Sequence, residues 1–331
     1  MAHERCLADE DGANQQGWDG RPGAGQNQRG GERRVIAVAV TYRPDLALFR
    51  IAVRACRNQV AEFFVIDNGS TEPYKSSLAA LCDDEACNFV PLAGNSGIAA
   101  AQNQGILMAR SAGATHILLL DQDSVAAPDM VARLLEILDR APRSGRRVAA
   151  VGPRLVDRRS GRSTPFVRFG LFGVTRLNCQ KNRIVVESDF LVASGSLMRI
   201  SVFDEIGLME EGLFIDNVDL EWCFRSRHIG YVLLGVCEAV LEHSVGDQAF
   251  HLAGRVIYRH NPIRQYYIMR NRILLYRRSY SPWAWVIQDF LRMLVKVMLF
   301  GLIYSPRIKN LYMMARGMID GVRGRTGPFF D

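Results

Sequence analysis

A chain of 331 residues with 48% hydrophobic content can bury one large core, or a core and a smaller appended unit, which excludes disorder throughout. Its net charge of +7 is concentrated in the last third, and a basic end suits an anionic partner, either nucleic acid or a membrane surface. The seven cysteines form an odd set without C-x-x-C spacing, so they suggest neither a disulfide framework nor a zinc knuckle, and a reducing cytosol is the simplest home.

Residues 1–31 are rich in Gly, Gln, Asn and Arg, hold almost nothing to bury and offer no apolar signal-peptide core; a disordered tail is expected. Order begins at Val35-Ile-Ala-Val-Ala-Val40, an apolar run without alternation, as in a strand buried on both faces. The same texture recurs at Phe63–Ile66, Asn88–Leu92 and His116–Leu120. Helical patterns fill the gaps over Leu46–Asn58, Tyr74–Cys82 and Ala99–Ser111. Strands alternating with helices predict a mostly parallel, doubly wound α/β sheet over residues 32–250, followed by a helical, basic and apolar region over 251–331.

In such sheets ligands bind beyond the carboxyl ends of the strands. Each apolar run here ends in polar residues: Thr41-Tyr42, Asp67-Asn68-Gly69-Ser70, Asn95-Ser96-Gly97 and Asp121-Gln122-Asp123. One Asp after a strand is usually a helix cap or turn former, but four polar ends in succession point to a site. The first strand is followed by Thr41-Tyr-Arg-Pro44 rather than G-x-G-x-x-G, and there is no Walker loop, so the dinucleotide and P-loop classes are disfavoured. Asp121 and Asp123 straddle one residue, a spacing that can aim two carboxylates at a hard divalent cation, Mg²⁺ or Mn²⁺, which keeps substrate phosphates among its other ligands. Alternatively, Asp123-Ser124 caps a helix beginning near Pro128, and the two roles are compatible.

Val40-Thr-Tyr42, Ile66-Asp-Asn-Gly-Ser70, Gly94-Asn-Ser-Gly97, Gln102-Asn103 and Leu119-Leu-Asp-Gln-Asp-Ser124 together resemble family-2 glycosyltransferases of the GT-A fold, over about residues 35–245. The resemblance implies that Thr41, Tyr42 and Asp67 contact the nucleotide, that Asn95 and Asn103 line its pocket, and that Asp123 ligates metal with Asp121 nearby. Asp121–Ser124 with Phe214-Ile-Asp-Asn-Val-Asp-Leu-Glu-Trp222 looks most like the rhamnosyltransferase branch, which uses a dTDP-rhamnose donor.

An inverting transferase also needs a carboxylate to take the proton of the attacking hydroxyl. Asp216, Asp219 and Glu221 are the candidates, with a helix expected over Leu220–Arg227 and Asp216 and Asp219 in its first turn. Many family members carry a Glu-Asp pair where this chain reads Asp216-Asn217, and Asn217 cannot be a base; Asp216 ranks first and Asp219 second. Phe190–Met198 reads as a buried strand interrupted by small polar residues, with Ser194 and Gly195 as acceptor-site candidates beside a possible bulge. Trp222 offers a face for a sugar ring or for the core. His243 resembles the family histidine that completes the metal site, although a lone His is more often structural.

The stretch Trp283–Tyr304 invites a membrane-spanning assignment, but Asp289, Arg292 and Lys296 share one helical face with Gln288 near them. Such a polar stripe suits a helix lying in the interface of an anionic membrane, with Trp283, Trp285, Tyr304 and Tyr312 at headgroup level. An amphipathic helix packed on the domain, or a homodimer interface, is the alternative. The expected enzyme is therefore cytoplasmic and peripheral on the inner face of the membrane, with a saccharide or lipid-linked acceptor. Two other classes remain in view, a nucleotidyltransferase on a similar sheet and a non-enzymatic nucleic-acid or membrane-binding module. The first would need a Gly-rich basic loop after the first strand, and no nucleic-acid motif supports the second.

Overall fold

The computed structural model describes residues 33–141, 145–179, 184–243, 249–252, 255–258, 261–302 and 304–329; the tail expected over 1–31 lies outside them. Strand β1 (Val35–Thr41) is buried along its whole length. Parallel partners β2 (Glu62–Asp67), β3 (Asn88–Pro91) and β4 (His116–Asp121) build the order β3-β2-β1-β4. Helices α1 (Leu46–Arg57), α2 (Tyr74–Asp84) and α3 (Ile98–Ser111) connect them. The unbroken apolar run of β1 has a direct cause: Ile36, Val38 and Val40 enter one core with Ile106 and Ala109 of α3, while Val35, Ala37 and Ala39 enter another with Phe49 and Val53 of α1. Gly105 lets α3 close on the sheet, since a Cβ there would come within 2.2 Å of Val38 Cγ1.

After β4 the sheet turns mixed. It adds β5 (Ser124–Ala126), β6 (Val148–Asp157), β9 (Val185–Ser188), β10 (Leu197–Arg199) and β11 (Val232–His243), and the order continues β4-β10-β6-β11-β5 with β9 on β11. Strands β7 (Phe166–Gly170) and β8 (Gly173–Leu177) form a separate hairpin, as do β12 (Ala249–Leu252) and β13 (Arg255–Tyr258). Helix α4 (Met130–Arg140) follows β5, and α5 (Val202–Ile206) and α6 (Val218–His228) precede β11. Helices α7 (Pro262–Tyr276), α8 (Trp283–Leu302) and α9 (Arg307–Val322) end the described chain.

Several expectations change. The strand predicted over 190–198 is short: only Leu197–Arg199 pairs, because Gly195 at φ +83° turns the chain and donates its N–H to Leu119 O at 2.7 Å. Asp123-Ser124 cap nothing, since Ser124 opens β5 and α4 starts at Met130 with Asp129 at its N-cap position. Cys179 and Cys237 are joined by a disulfide; the two lie 58 residues apart, a separation that carries no sequence signature. The polar stripe of α8 mostly turns inward. Asp289 is buried, pairs with Arg272 at 3.2 Å and accepts the Tyr276 hydroxyl at 2.7 Å, while Gln288 Nε2 donates to Gly170 O at 2.6 Å. Among the described residues no helix is long and apolar enough to cross a membrane.

Residue 250 is no boundary of packing. Leu274 and Leu275 of α7 and Trp285 of α8 belong to the same core as Ile36 and Val38, and Trp285 packs edge-on against Phe224 at 5.0 Å. Truncation at residue 250 should therefore leave a chain that does not fold, read by loss of a cooperative melt. Leu275→Ala, which opens a cavity in that core, should cost about 2–5 kcal/mol in denaturant unfolding.

Candidate active site

The parallel register of β1, β2 and β4 brings their polar ends side by side, with Thr41 opposite Asp67 and Val40 opposite Asp121. Asp67 is fully buried: Oδ1 accepts the hydroxyls of Thr41 at 3.3 Å and Ser70 at 2.6 Å, and Oδ2 accepts Ser70 N–H at 2.9 Å. Asn68 ties this end to the next loop, donating to Asn95 Oδ1 at 3.2 Å and accepting Ser96 N–H at 3.0 Å. Gly69 is required there, because a Cβ would lie 2.3 Å from the Gly94 carbonyl carbon. Asn95 and Tyr42 are exposed on the rim, and Tyr42 N–H donates to Gln122 Oε1 at 2.9 Å. Of the nucleotide-pocket set, Tyr42 and Asn95 reach solvent, while Thr41 and Asp67 form the floor.

Asp121, at the end of β4, and Asp123, in the turn beyond it, meet His243, at the end of β11. Antiparallel pairing of β11 with β5 sets His243 opposite Ser124. The three offer ligand atoms within 4.8 Å of one another, and His243 Nδ1 lies 3.3 Å from Asp123 Oδ1. Burial pushes the Asp121 carboxyl up, and the Asp123 charge adds to this against His243 and Arg264. Burial alone would lower His243, yet the hydrogen bond and charge of Asp123, followed by the charges of Asp121 and Asp157, raise it. Two neighbouring carboxylates completed by an imidazole make a donor set that fits a divalent cation.

Ser194 stands behind this cluster and also borders a cavity lined by Pro153, Phe166, Phe190 and Leu191. It is buried, its Oγ accepts Asp121 N–H at 2.9 Å and shares a hydrogen bond with Ser124 Oγ at 2.8 Å, so it positions the metal-ligand turn. Gly195 is likewise explained by protein contacts: its φ is positive, and a Cβ would lie 2.5 Å from Pro153 Cγ. Trp222 is core, 3% exposed, with Nε1 donating to Gly207 O at 3.0 Å, and its ring is not available to a sugar. Asn103 spends its amide on protein, donating to Met209 O and Glu211 Oε1 and accepting Met209 N–H at 2.8 Å, which brackets the 209–211 segment instead of lining a pocket.

The 212–217 segment sits beside the metal-ligand cluster. Phe214, Asp216 and Asn217 all have left-handed backbones, φ +63° to +64°, which non-glycine residues adopt only when held there. Asn271 of α7 supplies the hold, its Nδ2 donating to the carbonyls of Leu213 at 2.9 Å, Ile215 at 2.7 Å and Asp216 at 2.9 Å. Arg270, fully buried, adds donations to Gly212 O and Leu213 O. Arg264 Nη2 pairs with Asp216 Oδ1 at 3.0 Å and Nε with Oδ2 at 3.1 Å. The guanidinium is near enough for its charge to act on Asp121 as well. Sequence reasoning missed Arg264, Arg270 and Asn271; their only signal was polar residues inside an apolar, aromatic helix pattern.

Asp216 precedes α6, and Asp219 alone of the pair lies in its first turn, where Oδ1 accepts Leu220 N–H at 2.9 Å. Burial raises Asp219 to about 6 against its backbone hydrogen bonds, with the Asp121 and Asp216 charges adding to the rise. Its side chain borders a small apolar cavity with Leu119, Leu191, Met198 and Trp222. Glu221 is excluded as a base: it is buried, doubly bonded to Arg225 at 2.8 and 2.9 Å, and accepts the Tyr280 hydroxyl at 2.7 Å.

Known proteins with this pattern share one chemistry. Residues 37–207, just over half the chain, match the family model for glycosyl transferase family 2. The chain is 29% identical over 294 residues to the dTDP-rhamnosyl transferase RfbF of Shigella flexneri, covering 88% of this chain and 97% of that one. It is 24% identical over 279 residues to the low-salt glycan biosynthesis hexosyltransferase Agl10 of Haloferax volcanii, covering 81% and 85%. Among solved structures, GalNAc-T7 with UDP, GalNAc and Mn²⁺ superimposes with a TM-score of 0.55 at 15% identity, and S. aureus TarS with 0.55 at 12%. Each covers 88% of this chain, while the chain spans 56% and 49% of theirs; these likenesses show the GT-A fold. The nucleotidyltransferase and nucleic-acid-binding classes are thereby displaced, and the chain, a glycosyltransferase resembling rhamnosyltransferases, belongs to glycosyl transferase family 2.

Proposed function

We propose that this protein moves L-rhamnose from dTDP-rhamnose, with inversion, to a hydroxyl of a saccharide or lipid-linked saccharide in surface polysaccharide assembly, working in the cytoplasm at the inner face of the membrane. The observation that carries the reading is the Asp121–Asp123–His243 donor set with the Asp216–Arg264 pair within electrostatic reach of it. The likeness to a dTDP-rhamnosyl transferase along 97% of that protein supports the donor. Asp121, Asp123 and His243 would hold Mg²⁺ or Mn²⁺, which when bound neutralises charge on the departing diphosphate. Tyr42 and Asn95 border the nucleotide, over the buried floor of Thr41 and Asp67.

Asp216 is the base. The acceptor oxygen attacks the anomeric carbon as the carbon–oxygen bond to the diphosphate breaks, the diphosphate leaves with the electron pair, and the hydroxyl proton passes to an Asp216 carboxylate oxygen. Arg264 fixes the direction of the Asp216 carboxylate through two hydrogen bonds. Asp219 has the pKa of a base but faces a cavity too small for a sugar, so it is the less suited of the two.

Three outcomes test this. A panel of thymidine-, uridine- and guanosine-diphosphate sugars with Mg²⁺ or Mn²⁺ should single out dTDP-rhamnose by released nucleoside diphosphate and by protection against heating; no response to any donor overturns the reading. Asp216→Asn should lower kcat by roughly 10²–10⁴ with donor protection intact, while Asp219→Asn keeps turnover; the reverse pattern transfers the role to Asp219. Because Asp121 and His243 both take protons at higher pH than they would in water, acidification should displace the cation. The acid limb of the activity profile should therefore move to lower pH as the cation concentration rises, and Asp123→Asn should abolish the metal dependence.

A further inference from the structure

With Asp289 of its polar stripe buried and Arg292 left exposed, α8 presents its apolar side to solvent. Trp283, Ile287, Leu291, Leu294, Val295 and Met298 are all exposed, Trp283 and Met298 by 63% each. They recur at spacings of three, four and one, within a single arc of the helix. The opposite arc holds Asp289, Met293 and Phe300, which are buried, so the exposed arc is not an unpacked helix but the outer side of a packed one. Helix α9 extends the surface with Ile308, 85% exposed, Tyr312 and Ile319. A surface of this size has to be covered by something.

Charge selects among the possible covers. Arg292, Arg307, Lys309 and Arg323 are exposed on these same two helices. A two-fold pairing of this face with a second copy would bring cations together without anions to offset them, because Asp289 and Asp320, the acidic residues of α8 and α9, are buried. Anionic headgroups would neutralise them, while the apolar side chains enter the headgroup–acyl boundary and the rings of Trp283 and Tyr312 take the wet edge.

We propose that α8 and α9 form a monotopic docking face whose outward apolar arc, not its polar stripe, lies in an anionic bilayer surface. This rests on the membrane-linked acceptor reading and deepens it. The inward arc of the same helix carries Lys296, close enough to feel the charges of Asp216 and Arg264. One helix thus carries the proposed docking arc on one side and Lys296, within electrostatic reach of Asp216, on the other.

The test uses the full chain with vesicles of phosphatidylglycerol and phosphatidylethanolamine, and with phosphatidylcholine vesicles as the neutral arm. Wild type should sediment with the anionic vesicles and less with the neutral ones. The double variant Ile287→Glu with Leu294→Glu should lose roughly tenfold or more of that partitioning, and Arg307→Glu with Lys309→Glu should lose it on anionic vesicles only. If the first pair lowers the melting temperature, Ile287→Ser with Leu294→Ser replaces it. Unchanged sedimentation of both apolar variants, or no wild-type sedimentation, overturns the proposal; so does a wild-type dimer that the apolar variants split while vesicles bind neither form. Donor protection against heating is read on every sample: protection without vesicle binding sinks this inference alone, whereas vesicle binding without protection supports it and sinks the donor reading.

Discussion

The site depends on one buried contact made by neighbouring residues of α7. Asn271 and Arg270 are without solvent exposure; the Asn271 amide and Arg270 Nη2 donate to backbone carbonyls of the 212–216 segment, while the other Arg270 donors go to Asn271 Oδ1 and Gly327 O. That segment runs through left-handed backbones at Phe214 and Asp216, which cost energy unless the surroundings over-determine them. A buried guanidinium needs acceptors at every N–H, and an unsatisfied carbonyl turn needs donors, so each solves the other's desolvation problem. The consequence is that α7 holds the 212–216 segment in place, so the C-terminal helices are part of the scaffold of the candidate site.

A second constraint is the balance of charge. Asp121, Asp123, Asp216 and Asp219 gather their charges together; burial raises both Asp121 and Asp219, with the Asp123 charge adding to the first and the Asp121 and Asp216 charges to the second. Within the protein, Arg264 and His243 offset part of this. A divalent cation held by Asp121, Asp123 and His243 would offset more of it. Ser194 sits underneath, holding the turn through Asp121 N–H and Ser124. Its place explains why a small hydroxyl interrupts an otherwise apolar segment.

Helix α8 shows how the same spacing can be read two ways. Asp289 and Lys296 form a stripe at helical period, and a stripe of charge on an apolar helix usually faces water. Here the stripe is met by Arg272, Tyr276 and the ring of Phe300, so the polar side is the packed side. Burying Asp289 is tolerable because a cation and a hydroxyl satisfy it.

The sequence by itself determined the parallel half of the sheet and the strand-end cluster. Runs such as Val35–Val40 and Ile117–Leu120 are apolar at every position, which only a strand covered on both faces requires, and polar residues directly after them must emerge at the carboxyl edge. Asp121 and Asp123 were legible for that reason. Asn103, Trp222, Ser194 and Gly195 were not, because a polar or aromatic residue near a site reads alike whether it faces a ligand or satisfies a neighbouring backbone group. The Cys179–Cys237 bond, the meeting of His243 with Asp123, and the grip of Arg264, Arg270 and Asn271 join residues 48 to 120 positions apart in no local pattern. Local periodicity reports which side of an element is apolar, and only the packed chain decides what that side, or the polar one, finally touches.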